Sequence, residues 1–155
     1  ALPICDLWCR LGLVEVPDFP AWVAAASADL SLDAAERLLD QLVDHRLIEV
    51  AGVDTMGAVR YRLNYLTGLY AREVARRQWS RAVCDEVCDR VARQWRHLAS
   101  HAYQALGGLD RPKPTDESRV GVASRIVRMI WADPQEWLRV ERHGLQFAAT
   151  RYARG

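Results

Sequence analysis

Four cysteines come as two pairs spaced i,i+4, Cys5 with Cys9 and Cys84 with Cys88. Thiols in such numbers could hold a zinc ion or form a redox couple. Zinc sites, however, draw their ligands mostly from loops in which two cysteines are separated by two to four residues and the backbone wraps the ion. Cys84 and Cys88 instead share an apolar helical stripe with Val91 and Trp95, which reads as core, where unpaired cysteine is common. A metal- or thiol-redox-responsive module stands as the alternative. His97 and His101 form another i,i+4 pair. At about 100° per residue they point away from the cysteine stripe and cannot complete a site with it. No Glu stands where a helical HExxH site needs its base, so these histidines read as solvated.

Other chemistry is excluded by missing motifs. There is no glycine-rich P-loop, since the single lysine, Lys113, lies between two prolines, and there is no G-x-S-x-G nucleophile elbow. No local spacing of Ser, His and acidic residues makes a catalytic set. The chain is therefore read as a non-enzyme, with no catalytic residue and no metal ligand assigned. The basic residues are Arg apart from Lys113. Together with abundant alanine, this usage indicates a high-GC genome. The arginines able to reach phosphate are Arg60 and Arg62, followed by Arg72, Arg76, Arg77 and Arg81. Charge is unevenly spread: residues 1–50 hold three Arg against nine Asp and Glu, a net of −6, whereas residues 51–155 carry a net of +7. A polar distribution of this kind suits docking to partner surfaces.

The elements that carry these residues follow from periodicity and caps. Ile4 to Leu13 suits a short helix, and Asp18-Phe19-Pro20 opens a second one with Pro20 in its first turn. Ser31 caps a third, whose inward stripe is Leu32, Ala35, Leu38, Leu39, Leu42 and Val43 and which stops near Asp44 to Arg46. Ile48–Val50 and Val59–Leu63 read as strands joined into a hairpin by the Gly52–Gly57 loop. Three helices and a two-stranded hairpin make a winged-helix pattern over residues 1–66. Residues 67–155 read as a helical connector. Tyr65 to Leu106 gives one or two long helices bending near Arg77, Gly107 to Asp116 is the best linker, and Ser118 to Trp131 is another helix. Asp133-Pro134-Gln135-Glu136 opens a last helix running through Trp137 to Tyr152. No apolar run approaches the ~20 residues that cross a bilayer. No signal peptide precedes the fold, so a cytoplasmic protein is expected, and a chain starting at Ala reads as part of a longer one.

A winged helix invites a DNA-binding reading. Its reading helix would be residues 32–46, which carry Asp33, Glu36, Asp40 and Asp44 against Arg37 and Arg46. Such a helix repels phosphates rather than neutralising them. DNA binding through this domain is not expected, although a stand-alone winged-helix transcription factor remains the rival reading.

Two runs carry a family resemblance: Ala35 through Glu49, and Tyr61-Arg62-Leu63-Asn64-Tyr65-Leu66-Thr67-Gly68-Leu69-Tyr70-Ala71-Arg72-Glu73. They resemble the winged-helix domain of NB-ARC-type signalling ATPases of the STAND class, in particular the Streptomyces antibiotic regulatory protein family of actinobacteria. Leu11-Gly12-Leu13 to Trp22 resembles that family's entry into the domain, and Asp133 to Gly155 its connector into tetratricopeptide repeats. In the family the matching strand is followed by a His-Asp pair of an MHD-type motif that touches bound ADP. The corresponding positions here are Leu63, Asn64 and Tyr65: Asn64 keeps a hydrogen-bonding group, while Tyr65 replaces the acid. The resemblance implies a non-catalytic relay module of a multidomain transcriptional regulator. Its partners would be the neighbouring nucleotide-binding and repeat domains. ADP or ATP would belong to the parent protein, with no cofactor in this segment.

Overall fold

The structure, a computed structural model, describes residues 2–107 and 122–154. Most of the predicted linker, and the segment 118–121 at the start of the predicted sixth helix, lie outside the described residues. The chain is mostly helical with a small antiparallel sheet. Helix α1 (Ile4–Leu13) leads to a two-residue strand β1 (Phe19–Pro20), then α2 (Ala21–Ala28) and α3 (Leu32–Asp44). The hairpin strands β2 (Glu49–Val53) and β3 (Val59–Arg62) follow, with sheet order β1-β3-β2. This succession of elements is that of a winged helix. Beyond it run α4 (Tyr65–Gln78), α5 (Arg81–Leu106), α6 (Val122–Ala132), α7 (Pro134–Val140) and α8 (Arg142–Arg154).

Caps explain several boundaries. Ser31 accepts from the Ala34 N–H at 3.2 Å and starts α3. Asp133 accepts from the Glu136 N–H, with Pro134 in the first helical turn. These side chains satisfy amides that have no partner inside the helix. Ser80 does the same for Val83 at 3.2 Å, and Trp79 just before it is extended. The long helical stretch therefore divides at Trp79–Ser80 rather than bending near Arg77.

Two sequence expectations are corrected. Pro20 is the N-cap of α2 rather than a residue of its first turn, and Phe19 and Pro20 also pair with Tyr61 and Arg60 as a third strand. Pro20 is tolerated because β1 lies at the sheet edge, where a missing N–H breaks no ladder bond on its open side. The last helix is not continuous to Tyr152 but breaks at Glu141, which leaves helical geometry between α7 and α8. Glu141 is 3 % exposed and its carboxylate is drawn into contacts described below.

The core runs through both the winged helix and the helices that follow it. Trp95 on α5 is fully buried and meets the Trp22 ring edge-on at 5.2 Å and the Phe147 ring at 5.8 Å. Cys84, Val87, Cys88, Val91, Leu98 and Ala102 extend this stripe. Helix α4 packs on α1 through small residues. A Cβ on Gly12 would lie 2.6 Å from Ala71 Cβ and 2.9 Å from the Arg72 amide nitrogen, so the two backbones meet where no larger side chain fits.

Candidate docking surface and the wing latch

Because α4 buries Ala71 against Gly12 of α1, and Ala75 with it, its larger apolar side chains point outward. Tyr65 is 79 %, Leu66 75 % and Tyr70 61 % exposed, with Leu69 also exposed. Leu66, Leu69, Tyr70 and Glu73 follow the i,i+3,i+4 rule and form one solvent-facing stripe. Scattered apolar residues on a surface are ordinary, but a contiguous patch of this kind marks an interaction site. The patch is anchored by Tyr70, whose ring meets that of buried Trp8 at 5.7 Å. Beyond it the same helix presents Arg76 and Arg77.

The three positions matched to the nucleotide-touching motif lie at the root of this helix. Leu63 is half-buried against the core. Asn64 is the N-cap of α4, its Oδ1 accepting from the Thr67 N–H at 2.8 Å. Tyr65 stands in solvent. The hydrogen-bonding capacity of Asn64 is thus engaged in starting the helix that displays the patch.

The arginines divide by their partners. Arg62 meets the cross-strand Glu49 at 3.0 Å, Arg72 donates to the Gly12 carbonyl at 3.1 Å and pairs with Glu15 at 3.2 Å, and Arg77 pairs with Glu73 at 2.6 Å. Arg81 has a loose contact with Asp85 at 3.9 Å. Arg76 has no ion pair among the described residues. With Arg81, Trp79, His143 and Arg154 it borders an open cleft of about 800 Å³ between α4, α5 and α8. Arg60 is not on the surface.

Arg60 lies inside the fold, where it fastens the wing to the α7–α8 junction. Its Nε donates to Asp18 Oδ1 at 2.8 Å, its Nη1 donates to Glu141 Oε1, and Asp54 stands 3.6 Å away. Trp95 Nε1 donates to the other Glu141 oxygen at 2.8 Å. Burial works to lower the pKa of Arg60, but Glu141 and Asp18 outweigh it and hold the guanidinium firmly protonated. Burial pushes the Glu141 carboxyl above the usual range, with Arg60 and the Trp95 N–H pulling against it. At the wing tip Asp54 Oδ1 accepts from the amides of Met56 and Ala58 at 2.9 and 3.0 Å. Thr55 donates to Glu136, which also receives Arg139. Those two contacts, Arg139 first, hold the Glu136 carboxyl down at about 2. The hairpin is therefore tied to α7 at its tip, through Thr55, and to the α7–α8 junction through Arg60 of β3.

Sequence reasoning missed Glu141 as a partner of Arg60. One local signal was present: Trp137, Glu141, Gly144 and Ala148 share a helical spacing, and all four are buried. An acid on an otherwise inward stripe implies a buried cation, though not which one.

Helix α3 presents Asp33, Arg37, Asp40, Gln41 and Asp44 to solvent, while Glu36 faces Arg125 of α6 at 3.6 Å. Cys9, Cys84 and Cys88 are buried free thiols and Cys5 is exposed, so the core placement of Cys84 and Cys88 holds. Cys88 donates to the Leu13 carbonyl at 3.4 Å, and burial pushes its pKa up to about 11. His97 is exposed. The His101 Nδ1 is buried without a hydrogen-bond partner among the described residues, and burial, followed by the nearby His97, lowers the His101 pKa. Among the described residues no cluster of three or more His, Cys, Asp or Glu is placed to hold a metal ion, and no helix is long and apolar enough to cross a membrane.

No protein-family model matches the chain, and no solved structure matches it. Two curated proteins do. Regulatory protein AfsR of Streptomyces griseus is 45% identical over 67 residues, which are 43% of this chain and 6% of that protein. Regulatory protein AfsR of Streptomyces coelicolor is 43% identical over 67 residues, with the same coverage. Over that stretch the chain is similar to regulatory proteins of Streptomyces, and it spans a small fraction of their length.

Proposed function

We propose that this chain is a non-catalytic docking and relay module of a longer cytoplasmic transcriptional regulator of the STAND, NB-ARC-containing type. The winged helix at 1–66 and the helical connector at 67–155 would pass a signal between a nucleotide-binding domain and a repeat domain. The observation that carries this reading is the outward stripe of Tyr65, Leu66, Leu69 and Tyr70. A helix fixed by alanines on one side and carrying large apolar residues on the other is built to be covered. The proposed cover is the nucleotide-binding domain of the same polypeptide, with Arg76 and Arg77 at the patch edge favouring an acidic rim on it. Similarity to regulatory proteins far longer than this chain supports a neighbour of that kind. In this role the chain itself holds no nucleotide, since it has no phosphate-cradling loop.

The rival reading, a free-standing DNA reader, meets the electrostatics of α3. A reading helix whose solvent face carries three aspartates and one arginine forfeits the counterion release that dominates DNA affinity. One set of experiments separates the two. In the full-length regulator, Leu66→Asp with Leu69→Asp should change transcriptional output and expose new protease sites, while leaving the folding of this chain intact. Unchanged output and an unchanged cleavage pattern would refute the docking role. Binding of the isolated chain to duplex DNA at ~200 mM salt, abolished by Arg37→Glu and spared by Arg76→Glu, would establish the rival.

A further inference from the structure

Three helices turn arginine toward one concavity. The open cleft of about 800 Å³ between α4, α5 and α8 is lined by Arg76 of α4, Arg81 of α5, and Arg151 and Arg154 of α8. Arg76 and Arg154 are exposed and have no ion pair among the described residues. Arg81 is held loosely, 3.9 Å from Asp85, and its side chain is 96% exposed. Arg151 alone is satisfied, through Asp89 at 2.8 Å and Asp85 at 3.5 Å. The acids of the cleft do not balance the rest. They are Glu15 and Asp85, and Glu15 already faces Arg72 at 3.2 Å. A concavity lined with one sign of charge focuses its field and draws in the opposite sign. Arg76 and Arg154 belong to helices far apart in the chain, so tertiary packing, not a run of basic residues, brings them together.

The floor of the cleft is a separate observation. Trp79 and Phe147 line it and are half-buried, so each keeps surface open to solvent. Both rings are held in place by other contacts. The Arg10 guanidinium lies 5.2 Å from the Trp79 centroid, and the Trp95 ring meets Phe147 edge-on at 5.8 Å. Arginine beside fixed aromatic rings is the composition that carries most of the energy at protein interfaces.

We infer that this cleft is a docking groove for an acidic peptide segment that carries a large apolar residue. The carboxylates of the segment pair with Arg76, Arg81 and Arg154, whose planar guanidinium groups match a carboxylate as a two-pronged fork. The apolar residue rests on Trp79 and Phe147. A chain segment suits the cleft better than a small molecule does, because small-molecule sites enclose most of their ligand and this one lies open. The groove is distinct from the apolar stripe of α4, and the inference stands without the docking role proposed for that stripe.

The test titrates the chain into a fluorescein-labelled acidic peptide, EEDLFEE, and reads its anisotropy. A dissociation constant on the order of 100 µM is expected at ~50 mM salt, weakening about threefold at ~200 mM as screening shortens the reach of the charges. The neutral peptide QQNLFQQ should bind at least about fivefold more weakly. EEDSSEE, which keeps the charge and lacks the apolar pair, should bind about threefold more weakly. Arg76→Gln with Arg154→Gln, both exposed, should weaken EEDLFEE at least about fivefold and leave the thermal midpoint unchanged. Leu66→Ser with Leu69→Ser alters the α4 stripe without changing charge and should leave the affinity unchanged. The Trp79 indole N–H resonance should shift on binding, and that of Trp137, which does not line the cleft, should stay in place. Absence of saturable binding, equal affinity for either control peptide, or unaltered affinity in the arginine double variant would each overturn the proposal. Loss of binding in the serine variant would place the peptide on α4 and overturn it as well. So would tighter binding of an eight-nucleotide thymidine strand, which would make the cleft a nucleic-acid surface.

Discussion

Consider removing Glu141. Its carboxylate is buried and receives Arg60 on one oxygen and Trp95 Nε1 on the other. In Glu141→Leu the Arg60 guanidinium keeps Asp18 at 2.8 Å and Asp54 at 3.6 Å, so it is not left wholly unpaired. It nevertheless loses its most buried partner, since the Asp18 side chain is 40% exposed. Breaking a buried pair costs roughly 3–5 kcal/mol when nothing replaces the lost charge. Retention of Asp18 and Asp54 brings the expectation to the lower end, about 3 kcal/mol, and the orphaned indole N–H adds about 1 kcal/mol. Arg60→Met strands Glu141 near Asp54, but a carboxyl can take up a proton, whereas a guanidinium cannot give one up. With Arg60 gone the folded-state pKa of Glu141 rises further above its unfolded value of about 4.3. Protonation then contributes stability that is fully present below that value and is lost as pH rises through the raised pKa. The cost of Arg60→Met should therefore shrink between pH 7 and pH 5, while that of Glu141→Leu, which removes a carboxyl already raised above its unfolded value, should not shrink and should grow as pH falls. The double variant Arg60→Met, Glu141→Leu removes both charges and should be less destabilised than the sum of the singles by at least about 1.5 kcal/mol. Urea unfolding followed by tryptophan fluorescence at both pH values gives all four corners of the cycle. Additive singles, with a coupling below about 0.5 kcal/mol, would refute the reading of Arg60 and Glu141 as one buried unit.

Other outcomes follow from single positions. Gly144→Ala should cost at least about 1–3 kcal/mol in chemical denaturation, because the new Cβ would fall on the Trp95 indole of the facing helix. Ser31→Ala should cost about 1 kcal/mol by loss of the cap on Ala34, with Ser31→Asn near neutral in the same assay. In native protein at pH 8, iodoacetamide should label Cys5 rapidly and Cys88 hardly at all, as mass spectrometry of digests would show. Since the folded pKa of Cys88 is raised to about 11, its contribution to stability is complete below about pH 8.5 and lost as pH rises through 11. The alkaline limb of the unfolding curve should accordingly be shallower in Cys88→Ala.

The elements legible in the sequence were those fixed by short-range physics. The amphipathic stripes of α3 and α5 and the caps at Ser31 and Asp133 depend on neighbours within one or two helical turns, and the sequence itself displays those neighbours. The inward placement of Cys84 and Cys88 followed from the same periodicity, and the acidity of α3 from composition alone. Three features did not. The strand at Phe19–Pro20 exists because its partners at Tyr61 and Arg60 come to lie beside it; two residues carry no period, and the proline resembles a helix start. The interruption at Glu141 is set by a carboxylate reaching Arg60, 81 positions away, rather than by a breaker residue. The exposure of Leu66, Leu69 and Tyr70 was likewise hidden. Helical periodicity says that a face is apolar; which face turns inward was decided by Ala71 fitting closely against Gly12 of α1, with Ala75 buried on the same helix. Local rules report which groups a segment offers, and tertiary packing selects which of them are buried, paired or left for a partner.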